Sequence, residues 1–402
     1  MFDLNIFIQD KVIKRKDDLF QADIEENKEK LYTKIKDKRV LVVGGAGSIG
    51  SSFIKALLPF KPSTLVVVDL NENALTELTR DLRSTDGMYM PEDYVTYPMD
   101  YATTVFSKMF RNRGGFDIVA NFSAHKHVRS EKDVYSVEAL IRNNLLNAKK
   151  LLDLLAEIPP ETYFCVSTDK AANPVNIMGA SKRIMEDVIF AYSDCFPVKT
   201  ARFANVAFSN GSLPDGFLER MAKLQPLSAP LDVKRYFVSP KESGQICLLA
   251  CLLGTNREIF FPKLDEAQMM GFDSIATALL ECQGYEPMIC DTEADAVKYA
   301  KQLQAGDKKY PVFFSKSDTS GEKMYEEFYT ENESVDLDRF KSLGVVIEKQ
   351  VFPKEKVERL FDSLSKAFEQ DTLEKEDVVN ILKDFLPEFR HIETGKSLDS
   401  KM

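Results

Sequence analysis

The run Gly44-Gly45-Ala46-Gly47-Ser48-Ile49-Gly50 constrains this chain more than any other stretch. It follows a short apolar run, residues 39–43, that reads as a strand buried on both faces, and it precedes residues 51–58, which read as a helix. A glycine turn between a buried strand and a helix is a phosphate-binding device. Gly44 permits the tight turn, Gly47 lets the backbone approach a pyrophosphate, and Gly50 lets helix and strand pack closely. The helix start then offers unpaired N–H groups to phosphate. Ala46, Ser48 and Ile49 complete the candidate cradle, so a bound dinucleotide is the first expectation.

About 20 residues further on, at the usual distance for such a fold, a second strand ends in Asp69. A carboxylate there accepts hydrogen bonds from ribose hydroxyls and repels a 2′-phosphate, and no arginine follows within a few residues. NAD is therefore expected over NADP. Asp100, ending the third strand, is placed to meet the adenine.

The alternation continues, with strands expected at 64–69, 94–100, 116–123, 162–167 and 198–203. Helices are expected at 73–84, up to 110, at 134–156 and at 178–192. This βα repetition predicts an α/β fold, a Rossmann-type doubly wound parallel sheet. Residues 38–204 form the expected NAD-binding domain. Residues 1–37 read as a helical extension whose apolar stripe (Leu19, Phe20, Ile24, Leu31, Ile35) packs on the same chain or on another subunit. Over 205–330 the periodicity weakens and Pro214, Pro226, Pro230 and Pro240 break the chain, as in a smaller substrate-binding region. Residues 331–402 read as a C-terminal helical extension, amphipathic over 354–367 and 375–385, with the last ten residues frayed. The two extensions predict subunit contacts and a homo-oligomer.

Composition narrows the partners. The formal net charge of -10 argues against nucleic acid or an anionic membrane as the main partner, though not against an anionic small molecule. The six cysteines form no CxxC pair and the three histidines no cluster, so no metal site is expected. No signal pattern opens the chain, and no apolar run approaches the roughly 20 residues that span a bilayer. A cytoplasmic protein with free thiols is the expectation.

The stretch 166–182, VSTDKAANPVNIMGASK, carries the chemistry. Together with the GxxGxxG spacing of the turn, it resembles the short-chain dehydrogenase/reductase family. There a Ser or Thr ends the fifth strand and a Tyr-x-x-x-Lys opens the next helix. Thr168 stands at the hydroxyl position, Lys182 at the lysine and Met178 at the tyrosine. Met178 and Lys182, at i and i+4, share one helix face. GGAGSIGS, NFSAHKHV, STDKAANPVNIMGASKR, ARFANVAFSNGS, KRYFVSP and GEKMYEE extend the resemblance over about residues 38–330, to the nucleotide-sugar 4,6-dehydratases. The nearest likeness is to the polysaccharide-biosynthesis branch acting on UDP-N-acetylglucosamine (UDP-GlcNAc). Methionine in place of tyrosine resembles its configuration-retaining members. Many members carry membrane spans; this chain shows none.

The resemblance implies a lyase reaction. Hydride leaves carbon 4 of the sugar for NAD, water is eliminated across carbons 5 and 6, and hydride returns to carbon 6. Asp169 and Lys170 stand where the family keeps its elimination pair. Lys170 acts as a base only when neutral, which Lys182 nearby and desolvation would favour; Asp169 acts as an acid only when a dry pocket keeps it protonated. A thioether cannot take the carbon-4 hydroxyl proton, so Thr168 or Asp169 is the nearest acceptor, and Thr168 would have to pass the proton on. Lys182 would hold the nicotinamide ribose and support a neighbouring oxyanion. On the substrate side, Asn205 meets sugar or phosphate, Arg235 is a candidate diphosphate clamp, Glu322 meets the nucleotide and Lys126 reaches the sugar. His125 and His127 read as structural. A UDP-sugar 4-epimerase and a non-catalytic NAD-binding scaffold are the competing readings, the second resting on the missing tyrosine.

Overall fold

Residues 39–203 of the computed structural model alternate strand and helix; residues 2–304, 306–317 and 327–393 are described, apart from the side chains at 129 and 130. The strands are β1 (Arg39–Val43), β2 (Thr64–Asp69), β3 (Asp93–Pro98), β4 (Ile118–Asn121), β5 (Thr162–Thr168) and β6 (Val198–Phe203). Ten more follow: β7 (Asn205–Val206), β8 (Leu227–Pro230), β9 (Lys234–Arg235), β10 (Phe237–Val238), β11 (Glu258–Pro262), β12 (Met270–Gly271), β13 (Glu286–Ile289), β14 (Lys309–Ser315), β15 (Ser334–Asp336) and β16 (Leu343–Ile347).

One nine-stranded sheet runs in the order β15-β16-β11-β6-β5-β4-β1-β2-β3. It is parallel from β3 to β11, while β16 and β15 join antiparallel. Helices cover both faces, so the central strands read as continuous apolar runs: Val40, Leu41, Val42, Val66 and Val67 expose no surface. The chain moves outward from β1 to β3, then crosses back to β4. Ligands of such sheets bind outside the carboxyl ends of the strands at that reversal. The fold is a Rossmann-type α/β sheet.

The sheet does not stop at residue 204. β11 comes from the stretch read as a substrate region, and β15 and β16 from the stretch read as a helical extension. Both β11 and β16 are short apolar runs, and runs of that length carry no periodicity to tell a buried strand from a loop packed on a core. The pairing of Phe260 with Ala201 and with Val345 places β11 inside the sheet. β16 is held so close that a Cβ on Gly344 would lie 2.2 Å from the Phe261 ring.

A smaller unit stands beside the sheet: the parallel order β13-β14-β8 with the helix Phe272–Cys282 against it. Its core joins Phe217, Leu227, Leu279, Tyr310 and Val312 to Phe7, Ile8, Val12 and Ile13 of the N-terminus. Phe20, Leu31 and Ile35 enter the main core instead, and the Arg15 guanidinium grips Glu242 at 2.7 and 3.0 Å. The C-terminal helices Lys354–Ala367 and Lys375–Phe385 likewise turn Leu360, Leu364, Val379 and Leu382 into the same core. These apolar side chains of both extensions are thus buried within this chain. The final nine residues of the chain, 394–402, lie outside the described residues. Among the described residues no helix is long and apolar enough to cross a membrane.

Candidate active site

The glycine turn sits at the carboxyl end of β1. Gly44 has φ +69°, and a Cβ there would meet the Ser123 amide nitrogen at 2.6 Å. At Gly50 a Cβ would meet the Gly44 carbonyl oxygen at 2.4 Å, so helix and turn touch backbone to backbone. Gly47 differs: its Cβ direction is open, and the nearest atom it would meet among the described residues beyond its chain neighbours is the Gly44 oxygen, 3.5 Å away. Gly47 also precedes the helix Ser48–Leu57, whose start no side chain caps among the described residues. An open approach at Gly47 and an uncapped helix start fit a pyrophosphate.

Asp69 ties this turn to β2. One carboxylate oxygen accepts the Ala46 N–H at 3.0 Å and the other the Asn71 N–H at 3.0 Å. A recess opens between them, lined by Gly44, Asp69, Leu70, Asp100, Tyr101 and Ser123 among others. Asp100 thus shares one recess with Asp69; its carboxylate accepts the Ala102 N–H at 2.8 Å.

At the end of β5 the polar groups converge. Asp169 is 3% exposed, and its Oδ1 accepts three hydrogen bonds: the Thr168 hydroxyl at 2.8 Å, the Lys170 amide at 2.9 Å and the Lys170 ammonium at 3.1 Å. Thr168 therefore has its proton aimed at a carboxylate, and Lys170 is ion-paired with that carboxylate. The expected setting was a Lys170 pressed by the charge of Lys182. The Lys182 ammonium instead turns to the Val166 carbonyl at 2.7 Å, and burial pushes its pKa below the usual lysine value. Met178 is buried one turn earlier on the helix Ile177–Phe190. That helix comes so near the preceding loop that a Cβ on Gly179 would lie 2.7 Å from the Lys170 carbonyl oxygen.

Of the substrate-side candidates, Asn205 and Arg235 are brought close by strand pairing. Asn205 opens β7, pairs with Phe237 of β10, and donates from its side chain to the Tyr236 carbonyl at 3.4 Å. Arg235 is buried, 4% exposed, and it donates to the Lys234 carbonyl at 2.9 Å. Lys126 donates to the Asn210 carbonyl at 3.0 Å, and the Asn210 amide in turn donates to the Ser48 hydroxyl at 2.9 Å. Lys126 is thereby tied to the loop beside the phosphate turn. Glu322 lies outside the described residues.

Two residues that tie the elements around this cluster together escape a sequence reading. Asn144 is buried in the π-helical segment Arg142–Asn147, which interrupts the expected 134–156 helix. It accepts the His125 N–H at 2.8 Å and donates to the Ser181 hydroxyl at 3.1 Å, locking the loop after β4 to the Lys182 helix. A π segment at such a site is a recurrent device, but no residue pattern announces it. Glu131 accepts the Ile177 and Met178 amides across 46 and 47 positions of chain, too far for any local capping signal.

Fold and site together define a Rossmann-type α/β protein with a polar cluster at the strand ends. The chain belongs to the polysaccharide biosynthesis protein family, which matches residues 40–347. An uncharacterized membrane protein of Methanocaldococcus jannaschii is 31% identical over 87% of this chain and 96% of its own length. The probable polysaccharide biosynthesis protein EpsC of Bacillus subtilis is 26% identical over 78% of this chain, which spans about half (51%) of EpsC. The inverting UDP-N-acetylglucosamine 4,6-dehydratase of Campylobacter jejuni is 25% identical over 75% of this chain and 84% of that protein. Among solved structures, Pen from Bacillus thuringiensis superposes with a TM-score of 0.63 at 19% identity, covering 82% of this chain and 98% of Pen. DesIV of Streptomyces venezuelae, a dTDP-glucose 4,6-dehydratase with NAD and TYD bound, gives 0.53 at 18% identity over 72% and 88%. These structures share the fold.

Proposed function

We propose that this protein is a UDP-GlcNAc 4,6-dehydratase of the configuration-retaining type, with NAD as its resident cofactor. The hydrogen-bonded group Thr168, Asp169 and Lys170 at the end of β5 carries the dehydratase reading. The Campylobacter relative, itself an inverting enzyme, supports the dehydration alone; retention rests on Met178 at the tyrosine position. The turn Gly44–Gly50, with Ala46, Ser48 and Ile49, would cradle the pyrophosphate. Asp69 and Asp100 would take the adenosine, and Lys182 the nicotinamide ribose. Bound NAD supplies a hydride acceptor for carbon 4 and the hydride donor for carbon 6. Asp69 favours NAD over NADP, because a carboxylate there repels a 2′-phosphate.

With Met178 unable to accept a proton, Thr168 does so in its place. Its hydroxyl already donates to Asp169, so a proton received from the carbon-4 hydroxyl passes on to that carboxylate. Asp169, now protonated, has a proton to give the departing carbon-6 hydroxyl. Protonation of Asp169 removes the charge that holds Lys170 as an ammonium, so Lys170 gives up that proton to solvent. As the neutral amine it takes the carbon-5 proton and later returns it, regaining its own proton from solvent. Transfer to the carbon-6 oxygen leaves Asp169 ionised for the next cycle. Asn205 and Arg235 would hold the sugar and diphosphate, Glu322 would meet the nucleotide and Lys126 would reach the sugar. A cytoplasmic location goes with a nucleotide-sugar substrate and with the free cysteines.

Incubation of the purified protein with UDP-GlcNAc, followed by mass spectrometry and NMR, tests the reading. Loss of one water with a 4-keto, 6-methyl sugar is the expected result. A product of unchanged mass replaces the reading with a 4-epimerase. Bound NAD without turnover leaves only a scaffold.

A further inference from the structure

The helix that carries Met178 and Lys182 is not capped by local side chains alone. Its N-cap, Asn176, accepts the Gly179 amide at 2.7 Å. The two preceding amides go elsewhere: Ile177 donates to Glu131 Oε2 at 3.0 Å and Met178 to Glu131 Oε1 at 2.8 Å. Glu131 ends a short 3₁₀ turn, Val128–Glu131, in the loop that follows β4, and it is 8% exposed. One carboxylate thus grips two successive amides with both oxygens. That fixes the tilt and the rotation of the first helical turn together, as a single-oxygen cap cannot. A negative charge at a helix N-terminus is also favourable in itself.

On the opposite side the same turn is wedged. Gly179 lies so close to the Lys170 carbonyl that a Cβ would come within 2.7 Å of it. The first turn is held between Glu131 and the Lys170 backbone, and the place of Met178 relative to Lys170 follows from that clamp. Glu131 is itself braced from the C-terminal region: the Lys375 ammonium donates to its main-chain carbonyl at 2.7 Å. The Ile392 amide donates to the Val175 carbonyl at 2.9 Å, one residue before the N-cap.

We infer that Glu131 is a positioning residue: it is a remote cap that sets the Met178–Lys182 helix against the Thr168–Lys170 group for catalysis. The inference rests on the dehydratase reading above. A displaced group of this kind costs rate rather than affinity, and an error of about 1 Å can cost about 100-fold.

Glu131→Gln keeps the size and one acceptor oxygen but turns an NH2 towards one of the two amides. With UDP-GlcNAc as substrate, its kcat should fall at least about tenfold, with KM within about threefold of the parent. Bound NAD and melting temperature should stay near the parent's. Hydrogen exchange at the Ile177 and Met178 amides should quicken at least about tenfold, as expected when a capping acceptor is lost. A kcat within about twofold of the parent overturns the inference. So does a loss of rate that only follows loss of folded protein, shown by Tm and cofactor content falling with it. Should the parent not dehydrate UDP-GlcNAc, the functional reading fails on its own; unchanged amide exchange would then overturn the grip on Met178, and accelerated exchange would uphold it.

Discussion

Gly47 and Gly50 belong to one motif, yet the structure separates their tasks. A methyl group at Gly50 would collide with backbone on two sides, the Gly44 oxygen at 2.4 Å and the Gly45 Cα at 2.8 Å, and neither can move independently. Gly50→Ala should lose roughly 1–3 kcal/mol, as overpacking against fixed atoms does. Gly47 has φ -72°, acceptable to alanine, and open space beyond. Gly47→Ala should keep its stability to within about 0.5 kcal/mol, as surface substitutions do, and lose bound cofactor instead. Thermal melts with cofactor content measured on the same samples check both; equal melting temperatures for the two variants would contradict the division. Lys170→Ala tests the other end of the site. Asp169 keeps the Thr168 hydroxyl and the residue-170 amide, so the local fold survives. Dehydration of UDP-GlcNAc should fall by about 10²- to 10⁴-fold, the range for losing a general base, with NAD still bound. Near-normal turnover would remove Lys170 from the carbon-5 proton.

At the scale of elements, what the sequence makes legible divides by physical kind. β2 occupies the residues read for it because a buried parallel strand is an apolar run ended by turn residues, and β6 does so too although Lys199, Thr200 and Arg202 interrupt its apolar run. The glycine turn is legible because each glycine answers a separate backbone demand. β11, β15 and β16 are not, since their reason for being strands lies in partners far along the chain. One such partner network is electrostatic. Arg202 of β6 exposes no surface; it donates to Glu186 at 2.9 and 2.8 Å and to Glu333, beside β15, at 2.7 and 2.8 Å. Glu186 in turn accepts the Ser167 hydroxyl at 2.7 Å, one residue before Thr168. An arginine in a strand that also carries Lys199 and Thr200 announces none of this. Arg202→Met leaves two buried carboxylates short of their main partner and should destabilise the fold by about 3–5 kcal/mol. The triple replacement Arg202→Met, Glu186→Gln, Lys349→Met should recover much of that loss, because no buried ammonium is then stranded and Glu333 keeps Arg183 at 3.6 Å. Denaturant midpoints of the two variants decide it: a triple variant no better than the single would show that packing, not charge, holds the edge of the sheet.

Across the whole molecule, this charged network is one place where the C-terminal segment is tied to the helix that carries Met178 and Lys182, and it makes stability depend on pH. Lys349, between β16 and the last helices, reaches Glu186 at 3.0 Å and lies 3.6 Å from Asp187. Asp187 is 1% exposed, and among the described residues neither of its carboxylate oxygens has a hydrogen-bond partner. Burial pushes its pKa from 3.8 up to about 7, with Arg183 opposing and Glu186 adding to the shift. The folded chain therefore holds this proton in a range where the unfolded chain has released it. Its contribution to stability is complete below the unfolded value of 3.8 and is lost as the pH rises through about 7. Asp187→Asn removes the titrating group while leaving Lys349 its closer partner, Glu186. At about pH 8 the variant should be more stable than the parent by an amount on the order of 1–4 kcal/mol, and at about pH 5 the two should differ much less. Melting temperatures of both proteins across that range are the measurement. A gain of the same size at both ends would mean that packing changed rather than a proton, and a loss at about pH 8 would mean that the ion pair with Lys349 outweighs the burial of the carboxylate.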